Sequence, residues 1–576
     1  MEEALQAVQG HGRHQRGLFW LTGCTQLADA MELMLLPFLA HFLPCTSSPS
    51  SFFTLSLLPS SSAASSSTSS SSTAPPSSLT LTLVSSSVFA GMLLGAWLGG
   101  FVSDRWGRRW GCRLSALCCG VFGLLSAFSP TYGGLLLCRF GVGVGLGSSP
   151  SGMVLYLEFL PTAKARGSQL LLFLTFFSAG AVLEVGLAWL MLSSRFETSG
   201  MMTTLEEAEG GAKDVWRGLL FASAVPAMVL LVAGWVALPE SPRWLVQRGR
   251  RKEAEEVLRS VARVNGVSFS SGSSASASSE PLYLLSNDHR NTEEKEGEDA
   301  KITSRASSAN SFNNTFHELR QLFSSTTLTR TTAVLCLVFF LMAVVYYALV
   351  LLSVNSVVND DGNNNNSQHQ EENEMKNVCA YLTDVEFLRV LFTNAAEFPG
   401  LLAAFFLLDR MGRKASISFF FSVVGLCTLI LSFRPVASSS SSDIELLVDT
   451  MIVFVARASS LAFNQSLWVY TAEVYPTTVR TTGLGFTTAF ARIGGILSPF
   501  VGQVLFAASR RMSLLLCSLG SFTAAAAVLT LLPYETHDCA LPDSLLDLPS
   551  PPSLAEENAQ KTKIVNNTLL SIKRNV

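Results

Sequence analysis

Charge is scarce in this sequence. Only 14% of its 576 residues are Asp, Glu, Lys or Arg, 48% are hydrophobic, and the mean hydropathy is +0.36. That balance excludes an ordinary water-soluble composition, in which about a quarter of residues are charged, and makes lipid the main solvent. An excess of either sign is also missing: 40 Lys and Arg against 43 Asp and Glu leave a net charge of -3, which excludes a nucleic-acid footprint and an acidic disordered chain. The 11 cysteines form no CxxC pair and no Cys/His zinc spacing, and most lie in apolar runs such as Cys118-Cys119. They read as small buried hydrophobes, so neither a metal nor a cofactor is expected. With no Ser/His/Asp, zinc, redox or nucleotide-hydrolysing constellation in view, enzymatic chemistry is not expected either.

What the chain has in abundance is long apolar runs. A helix needs roughly 20 apolar residues to cross the hydrocarbon, where only its own hydrogen bonds satisfy the backbone. Twelve stretches meet that demand, near 18–43, 79–103, 110–128, 133–156, 168–192 and 216–238, then 329–353, 386–408, 415–433, 447–470, 482–507 and 512–533. The expected fold class is an all-α membrane protein of twelve transmembrane helices in two six-helix bundles related by pseudo-symmetry. Most Lys and Arg fall in the tails and in alternate connections, so the positive-inside rule predicts that both termini are cytosolic. The first run is too long for a signal-peptide core and lacks a small-residue cleavage site, so it reads as an uncleaved anchor.

The resulting plan has a cytosolic N-terminus (1–17), an N-terminal bundle (18–238) with a Ser-rich lumenal loop (44–78), and a cytosolic linker (239–328). A C-terminal bundle (329–533) with a lumenal loop (354–383) and a cytosolic tail (534–576) complete it. Ser-rich stretches at 46–78 and 267–280, and the linker Val436–Asp443, cannot build a core and are expected to be disordered. Within the cytosolic linker, Ala254, Val257, Leu258, Val261 and Ala262 keep helical spacing up to Asn265-Gly266. This predicts a short amphipathic helix under the bundle. On the lumenal side, Asn365-Asn366-Ser367 is a glycosylation sequon. Cys45 and Cys379, one from each half, are the cysteines that an oxidising compartment could join.

The same phrases occur twice in the same order. Asp104-Arg105-Trp106-Gly107-Arg108-Arg109 after the second run returns as Asp409-Arg410-Met411-Gly412-Arg413-Lys414 after the eighth. Glu158 and Pro161 with Arg166 return as Glu473 and Pro476 with Arg480, and Arg139 inside the fourth run is matched by Arg457 inside the tenth. This ordered set argues for duplication, as in secondary transporters. In the turns, glycine permits a tight reversal while the arginines stay with the headgroups and Asp104 can meet a helix N-terminus. Inside the membrane a charge costs about 2.5 to 3.5 kcal/mol even on insertion scales, so it must face a cavity or a partner. Asp29 and Glu32 share one helix face, and Glu184, Glu397 and Arg492 are similarly deep. Either these charges line a solute pathway or they form a static network holding helix register.

Two further features carry alternatives. Gly141, Gly143, Gly145 and Gly147 alternate in the fourth run, where close helix packing is favoured over a dinucleotide loop because no strand precedes them. Glu397-Phe398-Pro399-Gly400 breaks the eighth run, as a gating bend or an ordinary kink.

The phrase Gly100-Phe-Val-Ser-Asp104-Arg-Trp-Gly107-Arg-Arg109 resembles the loop signature of the major facilitator superfamily. Pro239-Glu240-Ser241-Pro242-Arg243-Trp244-Leu245 is similar to the sugar-porter and organic-ion-transporter phrase. The opening LADAMELMLLPFLA, AEFPGLLAAFFLLDRMGRK and YTAEVYPTTVRTTGLG further resemble the synaptic vesicle 2-related group. The resemblance implies a cytosolic gate in which, when the protein faces outward, Arg108 and Arg413 pair across the halves with acids such as Glu158, Glu240 and Glu473, supported by Asp104, Arg105, Gly107, Arg109, Arg166, Arg243, Asp409, Arg410, Gly412 and Arg480. It likens Asp29 and Glu32 facing Arg139 to the proton-coupling pair of proton-driven sugar porters; Glu184, Glu397, Arg457 and Arg492, as charges within the runs, are assigned to the same substrate and proton-coupling set. It also implies a vesicle or plasma membrane. Two departures stand out: Phe405 replaces a glycine, and the last run ends Pro533-Tyr534-Glu535-Thr536-His537, which implies looser C-terminal cytosolic contacts.

The leading expectation is a secondary active transporter of a small organic, charged solute, with protons as the possible coupling ion, the bilayer as its surroundings and no nucleic acid as a partner. The alternative is a transporter-shaped vesicle protein acting in trafficking or ligand binding.

Overall fold

A computed structural model describes residues 5, 12–43, 78–160, 163–192, 215–267, 320, 322–358, 383–434, 443–476, 479–533 and 535–536. Asn365, Cys45, Cys379, most of the Ser-rich loop, the centre of the linker and nearly all of the tail lie outside these residues. All regular structure among the described residues is helical.

Before the linker come α1 (Arg13–Phe42), α2 (Ser78–Trp106), α3 (Arg108–Ala127), α4 (Tyr132–Ser148), α5 (Pro150–Glu158), α6 (Ala163–Leu192) and α7 (Val215–Ala237). The linker holds α8 (Pro242–Gln247) and α9 (Arg251–Asn265). After it come α10 (Thr326–Val358), α11 (Asp384–Ala395), α12 (Glu397–Met411), α13 (Arg413–Phe433), α14 (Asp443–Val474), α15 (Arg480–Pro499), a π-helical stretch Phe500–Leu505, α16 (Phe506–Ala508) and α17 (Arg510–Leu531).

Among the described residues, ten helical stretches are long and apolar enough to cross a membrane. The expected first and fourth runs are not among them. The first is α1, which carries Asp29 and Glu32 in its middle. The fourth is divided at Ser149 into α4 and α5, where Pro150 opens the second helix and has no N–H to extend the first. The eighth run is likewise divided at Ala396 into α11 and α12, just ahead of Pro399. Thr383 and Glu386 start α11 with a reciprocal capping box.

Helix pairing before the linker recurs after it. The pairs α1 with α6, α2 with α4, α3 with α7 and α3 with α4 are echoed by α10 with α15, α12 with α14, α13 with α17 and α13 with α14. Glycine sets the closest of these approaches. A Cβ on Gly143 would stand 2.1 Å from the Val88 carbonyl oxygen and one on Gly147 2.3 Å from that of Met92, while Gly141 and Gly145 meet Phe122 and Cys119 of α3. The alternating glycines therefore let two neighbours, α2 and α3, press on opposite sides of α4.

On the face that carries the linker, α9 buries Ala254, Leu258, Val261 and Ala262 and ends at Gly266, whose φ of 79° is left-handed. Asn265 ties it to the start of α1: its Oδ1 accepts from the His14 N–H at 2.9 Å and its Nδ2 donates to Gln15 Oε1 at 3.0 Å. Several contacts joining the helices before the linker to those after it lie at the opposite, far face. Ser86 Oγ donates to the Ile496 carbonyl at 3.1 Å, Trp189 Nε1 donates to Asp384 at 2.8 Å, Phe38 stacks on Phe387 with centroids 6.2 Å apart, and Phe89 meets Tyr347 at 4.6 Å.

Candidate functional site

Two ion pairs with both partners in the dry interior mark the centre of the molecule. In the first, α1 and α4 bring Glu32 and Arg139 together with Nη1 and Oε2 2.9 Å apart, both fully buried. Arg139 Nη2 also donates to Ser126 Oγ on α3, and Ser223 Oγ on α7 donates to Glu184 Oε1 at 2.7 Å. Arg139 Nε, Glu32 Oε1 and Glu184 Oε2 have no hydrogen-bond partner among the described residues. This cluster thus holds two buried carboxylates for one guanidinium. Removing either partner of such a pair strands the other and costs about 3–5 kcal/mol.

In the second pair, Arg457 Nη2 on α14 lies 2.7 Å from Glu397 Oε1 at the first residue of α12. It also donates to Asn394 Oδ1 at 2.9 Å, while the Tyr346 hydroxyl donates to Glu397 Oε1 at 3.1 Å. The break at Ala396 is what turns Glu397 into a helix-start residue facing the arginine. The repeat keeps the arginine and moves the acid: Arg139 and Arg457 correspond, but their carboxylates come from α1 and α12. The counterpart of α1 is α10, and it offers the Tyr346 hydroxyl instead.

Asp29, one turn before Glu32 on the same helix, is buried and differently held. Gln26 Nε2 donates to it at 3.3 Å and also to Ser149 Oγ at the α4–α5 joint, and the Cys119 thiol lies 4.0 Å from Asp29 Oδ1. Arg492 of α15 is the cation within electrostatic reach of Asp29, without ion-pair contact. It makes no hydrogen bond or ion pair among the described residues. Above these charges, toward the far face, a narrow crevice with room for about one water molecule lies between α1, α2, α6 and α10, lined by Leu33, Phe89, Phe177, Tyr346, Tyr347 and neighbours.

At the linker face the charges close within each set of helices. Arg108 pairs with Asp104 and, at 3.2 Å, with Glu158. Arg413 pairs with Asp409 at 3.5 Å and Glu473 at 3.2 Å. In this conformation the α2–α3 and α12–α13 turns aim both arginines at the acid ending the neighbouring helix of their own set; the pairing across the halves expected for the outward-facing state belongs to another conformation. The acid at the α3 N-terminus is Glu240 rather than Asp104: it accepts from the Arg109 N–H at 3.3 Å and faces Arg109 Nε at 4.0 Å. Burial pushes its carboxyl above the usual range, against the pull of those N–H groups and of Arg109.

The expected looseness at the C-terminal end is also corrected. Glu535 accepts from the N–H groups of Arg413 at 2.8 Å and Lys414 at 3.0 Å, and Thr536 donates to Glu473 at 2.7 Å. Gly107 and Gly412, with φ of 115° and 86°, allow both carboxylates to approach, since a Cβ would stand 2.1 Å from Glu240 Oε2 and 3.0 Å from Glu535 Oε2.

The remaining gate residues divide. Arg243 donates to the Glu158 and Leu160 carbonyls at 3.0 and 3.3 Å, and Arg480 to the Tyr475 carbonyl at 3.2 Å. Arg105 lies over Phe101, Arg410 is exposed, and the Arg166 side chain lies outside the described residues. Sequence reasoning missed Ser126, Ser149, Ser223, Tyr346, Asn394 and Glu535. The last was legible: it follows Pro533 after the twelfth run much as Glu240 follows Pro239 after the sixth.

Comparison with known proteins fits this geometry. The synaptic vesicle 2-related protein of Pongo abelii is 32% identical over 545 residues, covering 94% of this chain and 82% of its own length. The organic cation/carnitine transporter 7 of Arabidopsis thaliana is 33% identical over 564 residues, covering 96% and 98%. Among solved structures, the partially occluded inward-open xylose transporter XylE of E. coli superposes with a TM-score of 0.59 at 15% identity, over 92% of this chain and all of that one. The sequence pattern described as "Sugar (and other) transporter" matches residues 50–534, and the chain belongs to that family of the major facilitator superfamily.

Proposed function

We propose that the protein is a secondary active transporter that carries a small organic, charged solute by alternating access, with protons as the coupling ion. The observation that carries this reading is the set of buried carboxylates Asp29, Glu32 and Glu184, of which only Glu32 is ion-paired among the described residues, to Arg139, next to a narrow crevice shared by helices from both sides of the linker. A static network would balance its charges, whereas surplus acids near a pathway can take up and release a proton as access alternates. Membership of a transporter family supports the same reading, as do relatives whose names mention an organic cation and carnitine transporter and a proton:xylose symporter.

On this reading the duplicated helices form twelve spans in two six-helix bundles, with α1 and the α4–α5 pair as the two polar spans. The linker face is cytosolic, so the far-face contacts close the lumenal side and the conformation faces the cytosol. The Arg108 and Arg413 clusters are then the cytosolic latch in its released state. An oxidising far side accommodates a glycan on Asn365 and a Cys45–Cys379 disulfide, and the synaptic vesicle 2-related relatives favour a vesicle membrane.

The test is uptake by purified protein in proteoliposomes, across a panel of organic ions, with and without an imposed proton gradient. Wild type should accumulate solute only with the gradient. Asp29→Asn and Glu32→Gln should lose accumulation while keeping exchange. Accumulation unchanged in both variants would remove these carboxylates from the mechanism, and binding without any translocation would favour the trafficking or ligand-binding role.

A further inference from the structure

Two acids of the interior hold charged partners: Glu32 pairs with Arg139 and Glu397 with Arg457. Asp29 is held by neutral groups instead. Gln26 Nε2, one turn earlier on α1, donates to Asp29 Oδ2 at 3.3 Å and to Ser149 Oγ, and the Ser149 hydroxyl lies within hydrogen-bonding reach of the same carboxylate. The other ionisable groups that face Asp29 are Glu32 on its own helix, Arg492 of α15 and the Cys119 thiol of α3. Asp29 and Ser149 are both buried, so the bonds of this triangle act at low dielectric.

Ser149 is the joint between α4 and α5. Pro150 follows it and offers no N–H to the Leu146 carbonyl, so the helix is weakest there and bends most readily. Beyond the joint, α5 is a rod of nine residues, about 14 Å long. Its last residue is Glu158, which pairs with Arg108 at 3.2 Å and whose carbonyl accepts from Arg243 of α8 at 3.0 Å. One end of α5 thus meets the Asp29 triangle, and the other carries the arginine cluster of the linker face. The second half lacks this joint: no proline stands between Arg457 and Glu473, and α14 runs unbroken from Asp443 to Val474.

Resting on the transport reading above, we propose that Gln26 and Ser149 are positioning residues that couple the charge of Asp29 to the bend at Pro150, making α5 a lever on the Arg108–Glu158 pair. An ionised Asp29 accepts from both donors and holds the joint in its present bend. When Asp29 takes a proton from water in the passage, those bonds lose their charge assistance and the joint is freed. Glu158, at the tip of α5, then leaves Arg108 available for the pairing across the halves expected in the outward-facing state. Return of the proton to water re-forms the triangle and resets the lever. With no joint in α14, the Arg413–Glu473 pair parts only by motion of the whole helix, so the two clusters release by different routes.

The experiment is hydrogen exchange of the full chain in lipid nanodiscs at mildly alkaline pH, without solute, reading α5 against α14 as the internal reference. Asp29→Asn, an uncharged stand-in for the protonated acid, should speed exchange of α5 about tenfold, the factor one charge-assisted hydrogen bond supplies, and leave α14 unchanged. Gln26→Leu and Ser149→Ala should do the same with Asp29 intact, whereas Ser149→Thr, which keeps the hydroxyl, should match wild type. Asp29→Asn combined with Ser149→Ala should be no looser than either single variant; simple addition of the two losses would show independent structural defects and reject the coupling. Pro150→Ala, which restores the missing N–H, should slow exchange in α5 and blunt its response to Asp29→Asn. If α5 in Asp29→Asn exchanged as in wild type, or if α5 and α14 accelerated alike, the lever would be overturned and transport would stand. A response of α5 as expected, in a protein that shows no gradient-driven accumulation, would uphold the coupling and overturn the transport reading.

Discussion

At the residue scale the decisive quantity is the cost of an unmatched buried charge. Arg139 and Arg457 are both fully buried, so Arg139→Ala and Arg457→Ala should each destabilise by about 3–5 kcal/mol, read as a large fall in thermal midpoint in detergent. Glu32→Gln together with Arg139→Met, which removes both charges, should recover most of that loss. A double variant as unstable as the single arginine replacement would show that the charge pair is not the source of the cost. The caps at the linker face obey a gentler rule. Glu240→Gln retains a carbonyl acceptor for the Arg109 N–H and removes a desolvated charge, so it should cost less than Glu240→Ala, for which lost capping predicts about 1 kcal/mol. Gly107→Ala should be worse than either, because it adds left-handed strain to a 2.1 Å approach. Which residues carry charge inside the membrane was legible from hydropathy alone. Their partners were not, because Ser, Thr, Asn and Tyr are common in these spans and most of their hydroxyls bond the preceding turn, as Thr471 and Ser466 do.

At the scale of the element, the long helices were readable because apolar length is a strong constraint, whereas their interruptions were only half visible. Pro399 signalled the division of the eighth run. Pro150 did the same in the fourth and passed unread, because the apolar run continues through it; nothing foreshadowed the π-helical stretch after Pro499. Packing by glycine gives a graded test. Gly143→Ala should destabilise by about 1–3 kcal/mol through overpacking against the Val88 carbonyl, while Gly133→Ala, with nothing within 4 Å of its new Cβ, should be close to neutral in the same thermal assay. The docking of α9 on the start of α1 adds a pH test. Burial against Phe159, beside the backbone bond to Asn265, holds the His14 imidazole below its usual range, so any undocked state that exposes the ring binds a proton first. Docking is then complete above the ordinary imidazole range and weakens as the pH falls through it. Hydrogen exchange in α9 should accelerate on acidification in wild type and lose that pH dependence in His14→Gln.

At the scale of the whole molecule the question is which way the passage opens. The repeated loop phrases argue for duplication, and helix pairings recur across the linker, but the conformational state was not legible, since it depends on which contacts happen to be made across the two sets of helices. Those described at the far face include two hydrogen bonds, Ser86 to Ile496 and Trp189 to Asp384, and two aromatic contacts, set in an apolar cluster that both sets of helices share through residues such as Phe38, Leu39, Phe387 and Val390. Apolar contact parts without stranding a charge, as the proposed alternating access requires, and each hydrogen bond contributes only about 1 kcal/mol net. Trp189→Phe together with Ser86→Ala should therefore shift the balance between the two access states by roughly tenfold or more toward opening at the far face. Spin labels on the far ends of α6 and α11 report that shift as a new, longer distance, its population growing in the double variant. If the distance distribution stayed that of wild type, the far-face closure would be held by something other than these contacts.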